Sequence, residues 1–312
     1  MTGKDVIKGL VAGLRDAAAF GAGAQVHLAH PFETLEGAVA YFDGPLDMLA
    51  MAFPDLERRN TILIESVDES DQLWVGVCGY YCGEFAAPFL DIPPTRRMAS
   101  MRFHEFYRIE NGKVAEMQAL WDIPELMMQA GVWPMGPSLG REWHVPGPAT
   151  QDGLRVEGDG ARALQIVGDM LTCLGNNREG EKAMRLPTYW HEHASWYGPS
   201  GIGTCRGISG FRAHHQIPFL NAMPDRHAVA DQRFIFAEGN YVGFTAWPGM
   251  AMTLTGDGWL GIAPSHQELT MRSLDFWRVE EGKIAENWVL VDLLHVWYQL
   301  GVDVLARMRE LA

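Results

Sequence analysis

Two aspartates stand where an alternating run of residues hands over to a helical one. Lys283 to Asp292 reads KIAENWVLVD, and Lys113 to Asp122 reads KVAEMQALWD. Side chains two apart share a face of a strand, so Glu286, Trp288, Leu290 and Asp292 point one way. The other run sets Glu116, Gln118, Leu120 and Asp122 together. A carboxylate beside apolar neighbours at a strand end suits proton transfer, because partial burial raises its pKa toward neutrality. Aspartate also caps helices well, and a helix is expected after both residues. Catalysis and capping therefore both stay open for Asp292 and Asp122. Their neighbours differ: Trp288 offers a flat aromatic wall, Gln118 an amide.

Other residues carry weaker signals. Asp275 and Glu105 also occupy matching positions, each followed by an aromatic residue and, three places on, an arginine. A second carboxylate in each pocket is one reading; an ion pair with Arg272 or Arg102 is the expected one. His191-Glu192-His193 and His214-His215 could grip a metal, but H-E-x-x-H is absent, so surface or helix-end positions are expected and no metal is assigned. The run GPSGIGTCRG (198–207) lacks G-x-x-x-x-G-K and is expected to be a loop over a pocket mouth. No G-x-S-x-G signature is visible.

The matching runs belong to a longer repeat. Residues 101–132 align without a gap to residues 271–302, and 14 of the 32 positions are identical. A period of 170 residues exceeds the roughly 20–50 of solenoid repeats, so two whole domains of one fold are implied. The chain divides into a first domain at 1–133, a Pro/Gly-rich linker at 134–153 and a second domain at 154–312. The first is shortened at its N-terminus and has no counterpart of a helix expected at 179–190.

Helices are expected at 4–20, 45–53, 123–131, 161–174, 208–222 and 293–310. Strands are expected at 60–67, 73–82, 98–109 and 113–122, then at 192–197, 228–237, 240–247, 268–279 and 283–292. Asn111-Gly112 and Glu281-Gly282 mark hairpin turns. Helices followed by an antiparallel meander indicate an α+β fold.

Composition narrows the partners. A net charge of −14 argues against nucleic acid and anionic membranes. No apolar stretch is long enough to span a bilayer. The four cysteines form no C-x-x-C pair and fit free thiols in a cytoplasmic protein. Eleven Trp and 16 Met suit roomy apolar interiors or subunit contacts.

The string Leu90-Asp91-Ile92-Pro93-Pro94-Thr95, then Arg108 to Val114, Glu116 and Trp121-Asp122, resembles the SnoaL-like polyketide cyclases of the nuclear-transport-factor-two-like superfamily. Gly258 to Pro264, Arg278 to Ile284, Glu286-Asn287-Trp288 and Asp292 repeat it. The resemblance implies two tandem cones, each a curved antiparallel sheet wrapped around N-terminal helices with a central pocket. It implies pairing through sheet faces, so the chain is expected to form an internal pseudo-dimer, with room for a further homodimer. It also implies a cofactor-free cyclase or isomerase acting on a small hydrophobic carbonyl compound. The acid/base role then falls on Asp292 and Asp122, and Trp288, Tyr197, Gln118 and His30 become ligand contacts. The same fold hosts plain lipophilic binders or dimerisation scaffolds, and hydrolases or dehydratases, so these remain alternatives.

Overall fold

The computed structural model describes residues 2–13, 15–229 and 233–311. Two mixed sheets dominate it. The first contains β1 (Phe20–Leu28), β2 (Thr34–Glu36), β3 (Glu57–Val67), β4 (Leu73–Glu84), β5 (Met98–Glu110) and β6 (Lys113–Trp121), in the order β2-β1-β6-β5-β4-β3. The second contains β7 (Trp190–Tyr197), β8 (Thr204–Arg206), β9 (His227–Ala228), β10 (Arg233–Glu238), β11 (Tyr241–Thr253), β12 (Glu268–Glu280) and β13 (Lys283–Val291). Its order is β10-β11-β12-β13-β7-β8, with β9 on β11. The architecture is α+β, as expected, and neither sheet closes into a barrel.

The hairpins form where the sequence places them. Asn111, Gly112, Glu281 and Gly282 all have positive φ, the backbone that a tight twisted β-turn requires. The Leu90-Asp91 and Leu260-Gly261 segments also turn through positive φ, closed by Phe89–Ile92 and Trp259–Ile262 bridges. Those motifs of the repeat are therefore turns.

Several expectations change. The helix expected at 4–20 stops as α1 (Gly3–Gly13), and Phe20 begins β1, which lies parallel to β6. The counterpart β7 lies parallel to β13, so each sheet holds one parallel pair. The C-terminal helix is two helices, α9 (Leu293–Gln299) and α10 (Val304–Leu311), broken where Gly301 takes φ 78°. The strand expected at 228–237 is partly outside the described residues; β9 and β10 flank that gap.

Helices fill the concave side of each sheet. In the first half these are α1, α2 (Gly37–Tyr41) and α3 (Asp47–Ala52), with a π-helical turn at Phe42–Leu46; α4 (Ile123–Gln129) follows β6. In the second half α5 (Ala161–Leu174), α6 (Leu186–Tyr189), α7 (Gly207–Phe211) and α8 (Ile217–Ala222) do so, with a matching π-helical turn at Arg212–Gln216. The helix expected at 179–190 is mostly 3-10 turns, only α6 being α-helical. The long α5 buries Ala163, Ile166, Val167 and Met170, spaced for one helical face.

The other faces of the two sheets pack together. Phe106 and Phe276, equivalent residues of the repeat, stack with centroids 4.8 Å apart and mark a local pseudo-twofold axis. Gly76 and Gly243 are their cross-strand partners and give them room. A Cβ at Gly76 would lie 2.9 Å from the Phe276 ring, and one at Gly243 would lie 3.1 Å from Phe106. The seam also holds Ile62, Trp74, Tyr197, Leu274, Trp288 and Leu290. Both faces of each central strand are thus buried, one in a cone and one in the seam.

Candidate active site

The second cone encloses a cavity of about 450 Å³. Its walls are largely apolar, with Trp190, Trp196, Phe211, Phe219, Trp259 and Met271 among them. A cavity of this size with largely apolar walls is the usual form of a small-molecule site.

Asp275 on β12 lines this cavity, flanked along the strand by Ser273 and Trp277 on the same face. Its one hydrogen bond comes from the Ser273 hydroxyl at 2.9 Å. Burial pushes its carboxyl up to about 8, and Ser273 pulls it back only in part. A group with that pKa can accept or release a proton near neutral pH. Among the described residues no cation pairs with it, and the expected ion pair with Arg272 does not form; Arg272 instead holds Asp292 and Glu33.

His215 faces the same cavity from the π-helical turn and stacks on Trp196 at 4.2 Å. Burial lowers its pKa to about 3, which keeps the ring neutral. Three ring nitrogens on cavity-lining residues, Trp190 Nε1, Trp277 Nε1 and His215 Nδ1, have no hydrogen-bond partner among the described residues. Buried polar atoms are rarely left so.

The first cone is filled at the matching place. Glu105 is fully buried and accepts from Arg58 at 2.6 Å, Tyr107 at 2.5 Å, Tyr81 at 2.9 Å and Trp121 Nε1 at 3.3 Å. Its ion pair is with Arg58, not the expected Arg102. Tyr81 packs on Phe103 and Trp121 at 4.6 and 5.6 Å. The paired residues Phe103 and Trp121 correspond to the paired residues Ser273 and Val291 of the second cone. Two large rings become a hydroxyl and a small branched chain, and space opens above the carboxylate.

The six site residues expected from sequence lie together on the seam, outside the cavity. Asp292 is 4% exposed, and accepts from the His30 amide at 3.0 Å, Arg272 at 3.2 Å and the His295 amide at 3.2 Å. The last of these caps α9. Burial raises its pKa while Arg272 and the two amides lower it. Asp122 repeats the pattern in part across the axis, accepting from the Ser200 amide at 3.0 Å and Arg102 at 3.5 Å, but its side chain does not cap α4. The gap between the two has room for about 10 Å³, one water at most. Trp288 donates to the Pro146 carbonyl at 3.0 Å, and Tyr197 donates to Glu286 at 3.0 Å. Gln118 binds Glu116 and Thr245, while His30 bonds Glu33 and stacks on Tyr298.

Alternation set Trp288 with Asp292, and Gln118 with Asp122, on one face of each strand but could not tell which face meets the cone. A signal for Asp275 was present in the repeat: Phe103 to Ser273 and Trp121 to Val291 both shrink the side chains around a carboxylate. His191 bonds the Glu280 carbonyl at 2.8 Å on the surface, and no cluster of three metal-ligating side chains occurs among the described residues.

The sequence profile of the SnoaL-like polyketide cyclases matches residues 14–130 and 169–300. No curated protein matches the chain. Among solved structures, wild-type IdmH of Streptomyces antibioticus is 18% identical, with a TM-score of 0.37, covering 42% of this chain and 99% of its own. An NTF2-like protein from Burkholderia xenovorans LB400 is 16% identical, with a TM-score of 0.35 and coverages of 45% and 97%. A SnoaL-like polyketide cyclase from Agrobacterium tumefaciens is 19% identical, with a TM-score of 0.33 and coverages of 41% and 98%. No described helix is long and apolar enough to cross a membrane.

Proposed function

The chain belongs to the SnoaL-like polyketide cyclase family, and from that premise we propose that its second domain cyclises or isomerises a small apolar carbonyl compound, with Asp275 as general acid/base. One observation carries the reading: a buried carboxyl with a single hydroxyl partner, pushed to about 8, opens on a cavity of about 450 Å³.

The chemistry needs one proton moved out and back. At pH 7 a group of pKa 8 is ionised in roughly a tenth of molecules, and that carboxylate takes a proton from the carbon beside a carbonyl. The C–H electron pair becomes an enolate. The enolate carbon attacks a second carbonyl of the same molecule, forming the new C–C bond. Asp275 returns its proton to the resulting alkoxide, so atoms and charge balance. In the isomerase variant the proton returns to a different carbon. Trp190 and Trp277 line the cavity with ring N–H groups that have no partner among the described residues, and these are candidate donors for the developing oxyanion. Apolar walls hold the reacting groups close and keep water out.

The test is deuterium uptake at the α-carbon of an apolar 1,3-diketone in D2O, followed by NMR. Asp275→Asn should slow uptake at least a hundredfold with the fold intact. Unchanged uptake would reject the assignment.

A further inference from the structure

The cavity has one more chemical feature. Three arginines line it, Arg178, Arg226 and Arg233, and Asp275 is the only acid among its lining residues. In a chain of net charge −14 this local excess of cations is conspicuous. None of the three forms an ion pair among the described residues. Arg226 is half-buried; it donates to the Leu174 carbonyl at 2.8 Å, lies 3.6 Å from the Met250 sulfur, and sits over the Phe219 ring. Its Nε is buried without a partner, and burial lowers its pKa. Arg178 donates to the Asp225 carbonyl at 3.0 Å, next to Arg226 in sequence. The Nε of Arg233 is likewise buried and unpartnered.

A desolvated guanidinium without a counter-ion is costly, and its planar fork matches an oxyanion. Neutral carbonyl groups and a thioether leave that charge uncompensated. Elsewhere in this chain the buried arginines do meet carboxylates, Arg58 with Glu105 and Arg278 with Glu286. Arg226 and Arg233, both part-buried at the cavity, differ in lacking one; Arg178 is exposed.

We infer that the ligand of this cavity is an apolar acid, whose carboxylate or phosphate is held by Arg226 with help from Arg178 and Arg233. The inference rests on the cavity being the ligand site. It adds that the substrate is charged at one end and that the anion fixes which carbonyl meets Asp275. A carboxylate carried by the substrate and a phosphate ester attached to it present the same oxygens to the arginines.

Matched fluorescent probes separate these outcomes: anthracene-2-carboxylate, its methyl ester and 2-anthryl phosphate, titrated into the full chain at low and high salt. The acid or the phosphate should bind at least tenfold more tightly than the ester, and the advantage should shrink with salt. The tighter of the two anions names the source of the charge. Arg226→Gln should remove the advantage of acid over ester, with Arg178→Gln and Arg233→Gln giving smaller losses. Val289→Trp, which fills the cavity, should abolish binding of all three. If ester and acid bind equally to the native chain, the anion inference falls while the cavity still stands as a ligand site. If no probe binds, or Val289→Trp changes nothing, both fall. The native ratio of acid to ester requires no variant, so a misfolded substitution does not blunt the test.

Discussion

Glu105 and Asp275 occupy equivalent positions in two copies of one fold and live in opposite surroundings. Glu105 accepts four hydrogen bonds, one from the buried Arg58, beneath a ceiling of tyrosine, phenylalanine and tryptophan. Asp275 has one serine and an open cavity. A carboxylate surrounded by donors ties the core together; one surrounded by hydrocarbon keeps its proton and can trade it. The sheet is the same, so reactivity here is decided by what fills the cone.

The sharpest way to break this contrast is kinetic. Asp275→Asn should cost a hundredfold or more in turnover, whereas Glu105→Gln should leave turnover within a few-fold, measured on the same substrate. Equal losses would mean the two cones are not distinct. Next comes stability. Arg58→Met strands the buried Glu105 charge and should destabilise the chain by about 3–5 kcal/mol in denaturant titrations. A loss under about 1 kcal/mol would show that Glu105 does not depend on its cation.

The pH dependence separates the two acids further. Asp275 is raised in the fold above its unfolded value of 3.8 to about 8. The folded state therefore binds the extra proton, and stability declines as pH rises from about 4 to 8, then levels. Asp275→Asn should remove that decline and be the more stable protein at pH 9, by a few kcal/mol. Parallel curves for the two proteins would contradict a buried, uncompensated carboxyl. Asp292→Asn should behave differently again: a loss of about 1–3 kcal/mol with turnover retained, because its bonds hold α9 and the seam. Lost turnover with unchanged stability would return Asp292 to the reaction. The smallest effect should come from Ser273→Ala, which removes the one bond favouring the ionised form and moves the kinetic ionisation above pH 8.

Much of the fold was legible because its signals are local. Asn111-Gly112 and Glu281-Gly282 specify hairpins with their own φ angles, and β5, β6, β12 and β13 fall within a residue or two of the alternating runs. β1 was not legible. Gly21, Gly23 and its alanines give it little β-character, and its partner β6 lies about 90 residues away in the chain. The site failed for a different reason. On an ordinary half-exposed sheet the apolar face is the inner one, but here each central strand is buried on both sides. Polarity no longer points outward: Glu286, Asn287 and Asp292 are all buried, yet only Asn287 lines the cavity. A tandem partner covering the outer face cannot be read from the strand itself.

The Phe106–Phe276 stack places a rotation axis inside a single chain. Between identical subunits every contact across such an axis must occur twice, and any substitution there is felt on both sides. Fusion lifts that obligation. His104 bonds the Leu274 carbonyl, and its counterpart position is an apolar leucine with nothing to return. Gln118 meets Thr245, while the counterpart of Gln118 is Trp288, facing the linker at Pro146. The tether also makes the pairing independent of concentration, so dilution does not part the halves. One half is thereby free to become all framework and the other to keep a hollow.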